Sequence, residues 1–302
     1  MCLLLVGILF LVAGCKEETV EGIGPFIGGV DGVTISFKEG APITEFSKGE
    51  SVPVSVLLKN NGEYTIPSGF AYVRLYGIKH DNFGLSPTYT PISGELRGAQ
   101  KDFLEEGGEQ EVSFGSLTYN LDVRGKLDQT LRAKICYPYK TEARINTCAS
   151  SREISEAGSD EVCTVEGEKI VSGGVSKAPV QLTSFTERLI GTDQVAFTME
   201  FANQHTGEVF NSEGKCEDFD DATTSLSHAG MIKIDLFPED VICSFVGQDA
   251  NSGYLNVKDG PKKLVCTMTV NSAADSSYVE EVTVNVDYKY IDSTSVDLTI
   301  LG

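Results

Sequence analysis

The sequence predicts an all-β protein built from two immunoglobulin-like antiparallel β-sandwich domains, and three observations carry that reading. Val, Thr, Ser, Tyr and Phe recur along the 302 residues, while Trp is absent and Met occurs only four times. That bias suits a pleated, half-buried surface better than a helix. Apolar and polar residues alternate in short runs, and Asn, Gly and Pro separate the runs, as expected of strands joined by turns rather than of βαβ units. A chain of this length can bury two cores of ordinary size.

The elements follow in order. Val33–Phe37 (VTISF) alternates and opens the first domain, residues 33–149. Ser51–Lys59 places Val52, Val54, Val56 and Leu58 on one face, and Asn60-Asn61-Gly62 then supplies a turn, because Asn and Gly accept positive φ. Phe70–Ile78 sets Phe70, Tyr72 and Arg74 against Ala71, Val73 and Leu75. Glu111–Tyr119 and Thr130–Tyr137 follow, the latter alternating Leu131, Ala133, Ile135 and Tyr137 with Arg132, Lys134 and Cys136. Residues 150–177, acidic and rich in Ser and Gly, read as a partly disordered linker or as a long loop pinned at Cys163.

The second domain, residues 178–302, is predicted from Pro179–Arg188, Gln194–Asn203, Met231–Phe237, Val241–Phe245, Lys263–Val270, Val279–Tyr290 and Ser293–Leu301. In the penultimate run Val282, Val284, Val286 and Tyr288 share one face, so one side of that sheet is apolar and the other wet. Residues 55–70 and 198–213 echo each other, each passing from an alternating strand through Asn and Gly. That echo favours duplication of one domain type.

The N-terminus predicts the address. Leu3 to Ala13 is an uninterrupted apolar run, too short to span a bilayer but suited to the core of a signal peptide. It ends in Val12-Ala13-Gly14-Cys15, which resembles a lipobox, so residues 1–15 are read as a signal and Cys15 as the lipidated residue. Through that lipid the membrane itself becomes a partner, and the protein is expected on the extracellular face of the cell membrane. No Lys or Arg precedes the run; the expected basic segment would lie upstream of Met1. Residues 16–32, polar and then Gly-rich, read as a tether.

With Cys2 and Cys15 assigned to the leader, Cys136, Cys148, Cys163, Cys216, Cys243 and Cys266 remain. Six cysteines without a CxxC pair fit three disulfides in an oxidising compartment better than a zinc site. Local pairing points first to Cys136–Cys148 and Cys243–Cys266, among fifteen possible connectivities.

The formal net charge is -20, concentrated in residues 177–302, which hold 20 acidic and 8 basic residues. No basic stripe exists to replace counterions on phosphate, so nucleic acid is not an expected partner. Motifs of serine hydrolases, zinc proteases, P-loops and dinucleotide-binding folds are missing, and His80, His205 and His228 are scattered. The chain is therefore read as non-catalytic and without cofactors. The one pointed cluster, Glu213 to Asp221, offers Glu217, Asp218, Asp220 and Asp221 as weak Ca²⁺ candidates, without EF-hand spacing. Tyr64, Phe70, Tyr76 and Phe83 lie near turns and could form a contact patch, but alternation reads most of them as core or rim packing.

The VSVLLKNNGEY, CYPYKTEARINTC and APVQLTSF stretches resemble those of extracellular lipoproteins of small-genome archaea, and the strand-Asn-Gly pattern is similar to that of CARDB-type adhesion modules. The resemblance implies β-sandwich modules outside the cell and no particular activity. The expected role is adhesion, envelope assembly or docking to an unknown surface protein or to a second copy. The alternative is capture of a solute or cation. A concave pocket between the halves and a rigid connection would favour capture; a flat apolar surface or an open sheet edge would favour docking.

Overall fold

The computed structural model describes residues 23–157, 162–220, 226–270 and 276–302. The signal, Cys2 and the lipidation candidate Cys15 lie outside the described residues.

The chain is all-β. Its first half supplies β1 (Val33–Phe37), β2 (Glu45–Ser47), β3 (Ser51–Asn60), β4 (Tyr72–Tyr76), β5 (Thr90–Pro91), β6 (Glu109–Thr118) and β7 (Lys126–Ala149). Then come β8 (Gly167–Glu168), β9 (Val180–Ile190), β10 (Gln194–Asn203), β11 (Glu208–Phe210), β12 (Met231–Phe237) and β13 (Ile242–Phe245). The series ends with β14 (Gln248–Ala250), β15 (Ser252–Asn256), β16 (Lys262–Thr269) and β17 (Tyr278–Leu301). Three sheets result, ordered β1-β3-β6, β14-β13-β16-β10-β9-β8 and β15-β12-β17-β7-β4-β5. The pairings are antiparallel except that β2 runs parallel to the end of β17.

The third sheet is organised by β7 and β17, each 24 residues long and paired from Tyr278↔Ala149 to Leu301↔Lys126. Alternation runs unbroken along both. Odd positions of β7 from Leu131 to Ile145 and even positions of β17 from Val282 to Tyr290 are buried. This face is covered by the other two sheets, with β1 against β7 and β17 and β9 against β7. One apolar core runs beneath both covers, from Val52, Val54 and Val56 to Phe185, Phe197 and Met268. The sheets therefore do not follow a division of the chain at residues 150–177. Each half lends one end of its longest strand to the other half's sandwich.

At the middle of this ladder the two halves make matching contacts. Tyr137 pairs with Tyr290 and Tyr139 with Tyr288, all four buried. Burial pushes each hydroxyl far above the ordinary range, so all remain protonated. Tyr139 donates to Asn60 Oδ1 at 3.1 Å and Tyr290 to Asn203 Oδ1 at 3.0 Å. The Val33 amide donates to Tyr137 Oη at 3.1 Å and the Val180 amide to Tyr288 Oη at 3.3 Å. In register, Val33 opposes Asn60 and Val180 opposes Asn203. The two Asn-Gly echoes of the sequence thus occupy equivalent places about the ladder's centre. Gly62 and Gly207 are required there: a Cβ would stand 1.9 Å from Tyr139 Oη at the first and 2.4 Å from Tyr290 Cε1 at the second.

Three expectations are corrected. The disulfides are Cys136–Cys216, Cys148–Cys163 and Cys243–Cys266, so the Cys136–Cys148 pair does not form. Both cysteines sit in β7, and twelve residues of extended strand separate them by about 40 Å. Where described, the connector is the pinned loop rather than a disordered linker, with Cys163 joined to Cys148. Arg144 and Ser176 bond across it (Arg144 N to Gly174 O 2.9 Å, Ser176 N to Glu142 O 2.8 Å), and Lys177 N donates to Glu63 Oε2 at 2.6 Å. The tether, from Ile23 onward, is docked: Gly24 N donates to Ser172 O at 2.8 Å and Phe26 N to Gly173 O at 2.9 Å. Because its glycines permit close backbone approach, a composition that reads as flexible becomes a strap.

Candidate functional site

The outer face of the central sheet carries the chemistry. Alternation turns Tyr72, Arg74 and Tyr76 of β4 and Lys134 and Cys136 of β7 away from the core, and register sets Arg74 opposite Lys134 and Tyr72 opposite Cys136. Two cations facing each other need a shared anion. It comes from the 3₁₀ turn Cys216–Asp220, which Cys216 ties to Cys136. The Asp220 carboxylate accepts from Lys134 Nζ, from Arg74 Nη1 and, at 2.8 Å, from Tyr89 Oη. Lys134 is almost buried (8% side-chain exposure) and lies 5.0 Å from the Phe219 ring, 5.4 Å from Tyr76 and 5.7 Å from Tyr89, a cation–π cage. Burial opposes ionisation of Asp220, but the hydrogen bonds from Lys134 and Tyr89, with the charges of Lys134 and Arg74, prevail and hold its pKa below the ordinary value.

This arrangement accounts for the acidic cluster. Asp220 is consumed by its two cations, and Asp218 Oδ2 caps the turn by accepting from Lys215 N at 2.8 Å. Glu217 faces a cleft beside them, and Asp221 lies outside the described residues. Among the described residues, no three or more His, Cys, Asp or Glu side chains are grouped to hold a metal ion. Through Asp218 and Asp220 the cluster fastens a turn to the sheet.

The cleft itself, about 660 Å³, lies between the two halves. One wall is Tyr64, Pro67, Phe70 and Tyr72; the other is the Ser212–Glu217 segment; the floor is Pro138 and Lys289, which pair across the centre of the β7–β17 ladder. Lys289 donates to Ser212 O. Its burial lowers the amine's pKa against the pull of Asp218 and Glu213. Tyr254 bonds Glu213, and burial with that bond raises the Tyr254 hydroxyl to about 12. An aromatic wall therefore faces a charged one bearing Glu213, Lys215 and Glu217.

Of the aromatic patch expected from sequence, Tyr64 and Phe70 line this cleft, Tyr76 cages Lys134 and Phe83 is buried in the core. His80 bonds Leu75 O, His205 packs on Tyr290 and His228 on Phe210; none lines the cleft. Sequence reasoning missed Lys289 and the pairing of Asp220 with Arg74 and Lys134; it singled out Glu213 and Asp220 only as members of the acidic cluster. A lysine standing opposite an arginine in adjacent strands was the available signal for that pairing.

No protein-family model matches the chain, and no curated protein matches it in sequence. Among solved structures, the C-terminal globular domain of an oligosaccharyltransferase from Pyrococcus abyssi is 8% identical, with a TM-score of 0.21 over 86% of this chain and 46% of that one. A secreted serine protease from Vibrio cholerae is 11% identical, with a TM-score of 0.19 over 88% and 51%. The chain spans about half the length of these two chains. At such scores neither likeness bears on what the chain does.

Proposed function

We propose that this chain is a non-catalytic, lipid-anchored cell-surface protein that captures a small amphipathic solute in the cleft between its halves. The observation that carries the reading is the cleft of about 660 Å³ with walls from both halves, in the size range of ligand sites. A shared ladder floors it, which supplies the rigid connection capture requires. Its aromatic wall suits the apolar face of a ring or polyol, and Glu213, Lys215 and Glu217 suit that molecule's polar groups. The three disulfides fit an oxidising compartment, and among the described residues no helix is long and apolar enough to cross a membrane. A lipid on Cys15 supplies the anchor in this reading.

Adhesion, envelope assembly or docking is the second reading, favoured by the outer edge of β6, which bears no partner strand among the described residues. Charged Glu109 and Glu111 and the positive φ of Gly115 blunt that edge.

Native mass spectrometry of the full protein isolated from its own envelope tests the choice. Capture predicts a small molecule that is retained on the folded chain, released on denaturation and lost in the Tyr72→Ala and Phe70→Ala variants. A protein partner without any bound small molecule would replace capture by docking. The mass of the N-terminal peptide reports the anchor separately, since an unmodified Cys15 contradicts it.

A further inference from the structure

A second surface on the first half has no place in the cleft. Gln100 and Glu105 close a tight hairpin by reciprocal backbone bonds of 3.0 and 3.2 Å, and its tip carries Phe103 at 71% and Leu104 at 92% exposure. Leu104 holds φ 53°, a left-handed conformation that residues other than Gly, Asn and Asp rarely adopt. A large apolar side chain is thus held outward in a strained backbone position, where glycine would serve the turn better. On the neighbouring strap Ile23 is 85% exposed, and Ile27 joins Leu104 in lining an apolar hollow of about 430 Å³. Lys101 Nζ clips the strap to the hairpin through Gly24 O at 2.6 Å. The hairpin tip and the strap clipped to it therefore hold Phe103, Leu104, Ile23 and Ile27 in the open, and soluble surfaces avoid such apolar exposure unless something covers it.

The sequence ahead of the strap indicates the cover. The apolar run Leu3–Ala13 and Cys15 precede Ile23. Eight residues from Cys15 to Ile23 reach at most about 29 Å when fully extended. Wherever a lipid on Cys15 enters a bilayer, Ile23 and the strap clipped to the hairpin start within that distance of it. We infer that Phe103, Leu104, Ile23 and Ile27 form a membrane-contact surface that inserts into the interface of the bilayer to which the chain is tethered. Asp102, Glu105 and Glu106 flank the tip, so the surface fits zwitterionic headgroups, and anionic lipid weakens the contact. The inference rests on the anchor reading for its proximity to the bilayer, yet the two are read by different measurements.

The absence of Trp makes Phe103→Trp a unique reporter in the full chain. On phosphatidylcholine vesicles its emission is expected to shift to the blue, to be quenched by lipid brominated near the headgroup and to be shielded from iodide. The same reporter at Val246, exposed on the β13–β14 turn, is expected to stay aqueous. Adding Leu104→Gly to the Phe103→Trp chain should reduce bromine quenching while leaving the thermal midpoint equal or higher, because glycine is at ease at that φ. Unchanged Phe103→Trp emission on vesicles overturns the inference. An emission already blue without lipid also overturns it, since a second copy or the chain's own apolar run then covers the patch. An equal shift at Val246→Trp, or quenching indifferent to Leu104→Gly, does the same. Bromine quenching on a chain whose Cys15 is unmodified upholds the patch and removes the anchor; a lipidated Cys15 with an aqueous Phe103→Trp does the reverse.

Discussion

Glu187 shows how one residue can set the pH response of the molecule. Its carboxyl is fully buried against Lys169 Nζ at 3.1 Å and accepts the Cys148 amide at 3.0 and 3.1 Å. Burial outweighs these partners and raises its pKa from 4.5 to about 7. Between those values the folded chain keeps a proton that the unfolded chain has lost, so stability falls as pH rises. The contribution is fully present below pH 4.5 and is lost as pH climbs through 7, a change on the order of 3 kcal/mol. Glu187→Gln, which stays neutral, should flatten that slope in thermal melts taken from pH 4.5 to 8. A variant with the wild-type slope would assign the proton elsewhere. Such a residue is illegible in sequence, because nothing around TSFTER announces that its glutamate faces inward beside a disulfide. Tyr64 and Phe70, singled out from sequence as aromatics near turns, do line the cleft.

Among elements, the Cys216–Asp220 turn is held by one covalent and one ionic tie to β7. Removing the carboxylate leaves Lys134 and Arg74 facing each other with no anion. Asp220→Asn should cost about 2 kcal/mol at pH 7, below the range for fully buried pairs because the site is partly exposed. It should also loosen the Ser212–Glu217 wall of the cleft, which hydrogen exchange of that segment would report. The sign with pH is opposite to that of Glu187. The lowered pKa of Asp220 stabilises above the ordinary carboxylate value, and the contribution is lost as pH falls through the lowered one. An Asp220→Asn chain as stable as wild type at pH 7 would show that the turn is held by its disulfide alone. The strands themselves were largely legible: Val33–Phe37, Gln194–Asn203 and Met231–Phe237 fall where alternation placed them. The length of β7 and β17 was not. Pro138 and Asp292-Ser293 look like breaks, yet both ladders continue through them. Pro138 lies just past the end of β4, whose pairing with β7 stops at Tyr72↔Cys136, and at such a place a residue without an N–H is tolerated.

For the molecule as a whole, two similar halves share the strands that cross between them, and the cleft exists because they do. The likeness of the halves was legible as the Asn-Gly echo, but exchange of strand ends was not. Antiparallel pairing of residues more than a hundred positions apart leaves no local trace, and a Ser- and Gly-rich connector suggests separation. The acidic charge of the second half sits on the same body as the nearly neutral first half, so electrostatic repulsion does not act between independent domains. If β7 and β17 unite the chain, neither half has a complete sheet without the other, and unfolding is cooperative across both. Differential scanning calorimetry of the disulfide-intact protein measures this directly. A single transition whose calorimetric and van't Hoff enthalpies agree is the predicted result, and two separable transitions, each with about half the enthalpy, would contradict a molecule built on one shared ladder.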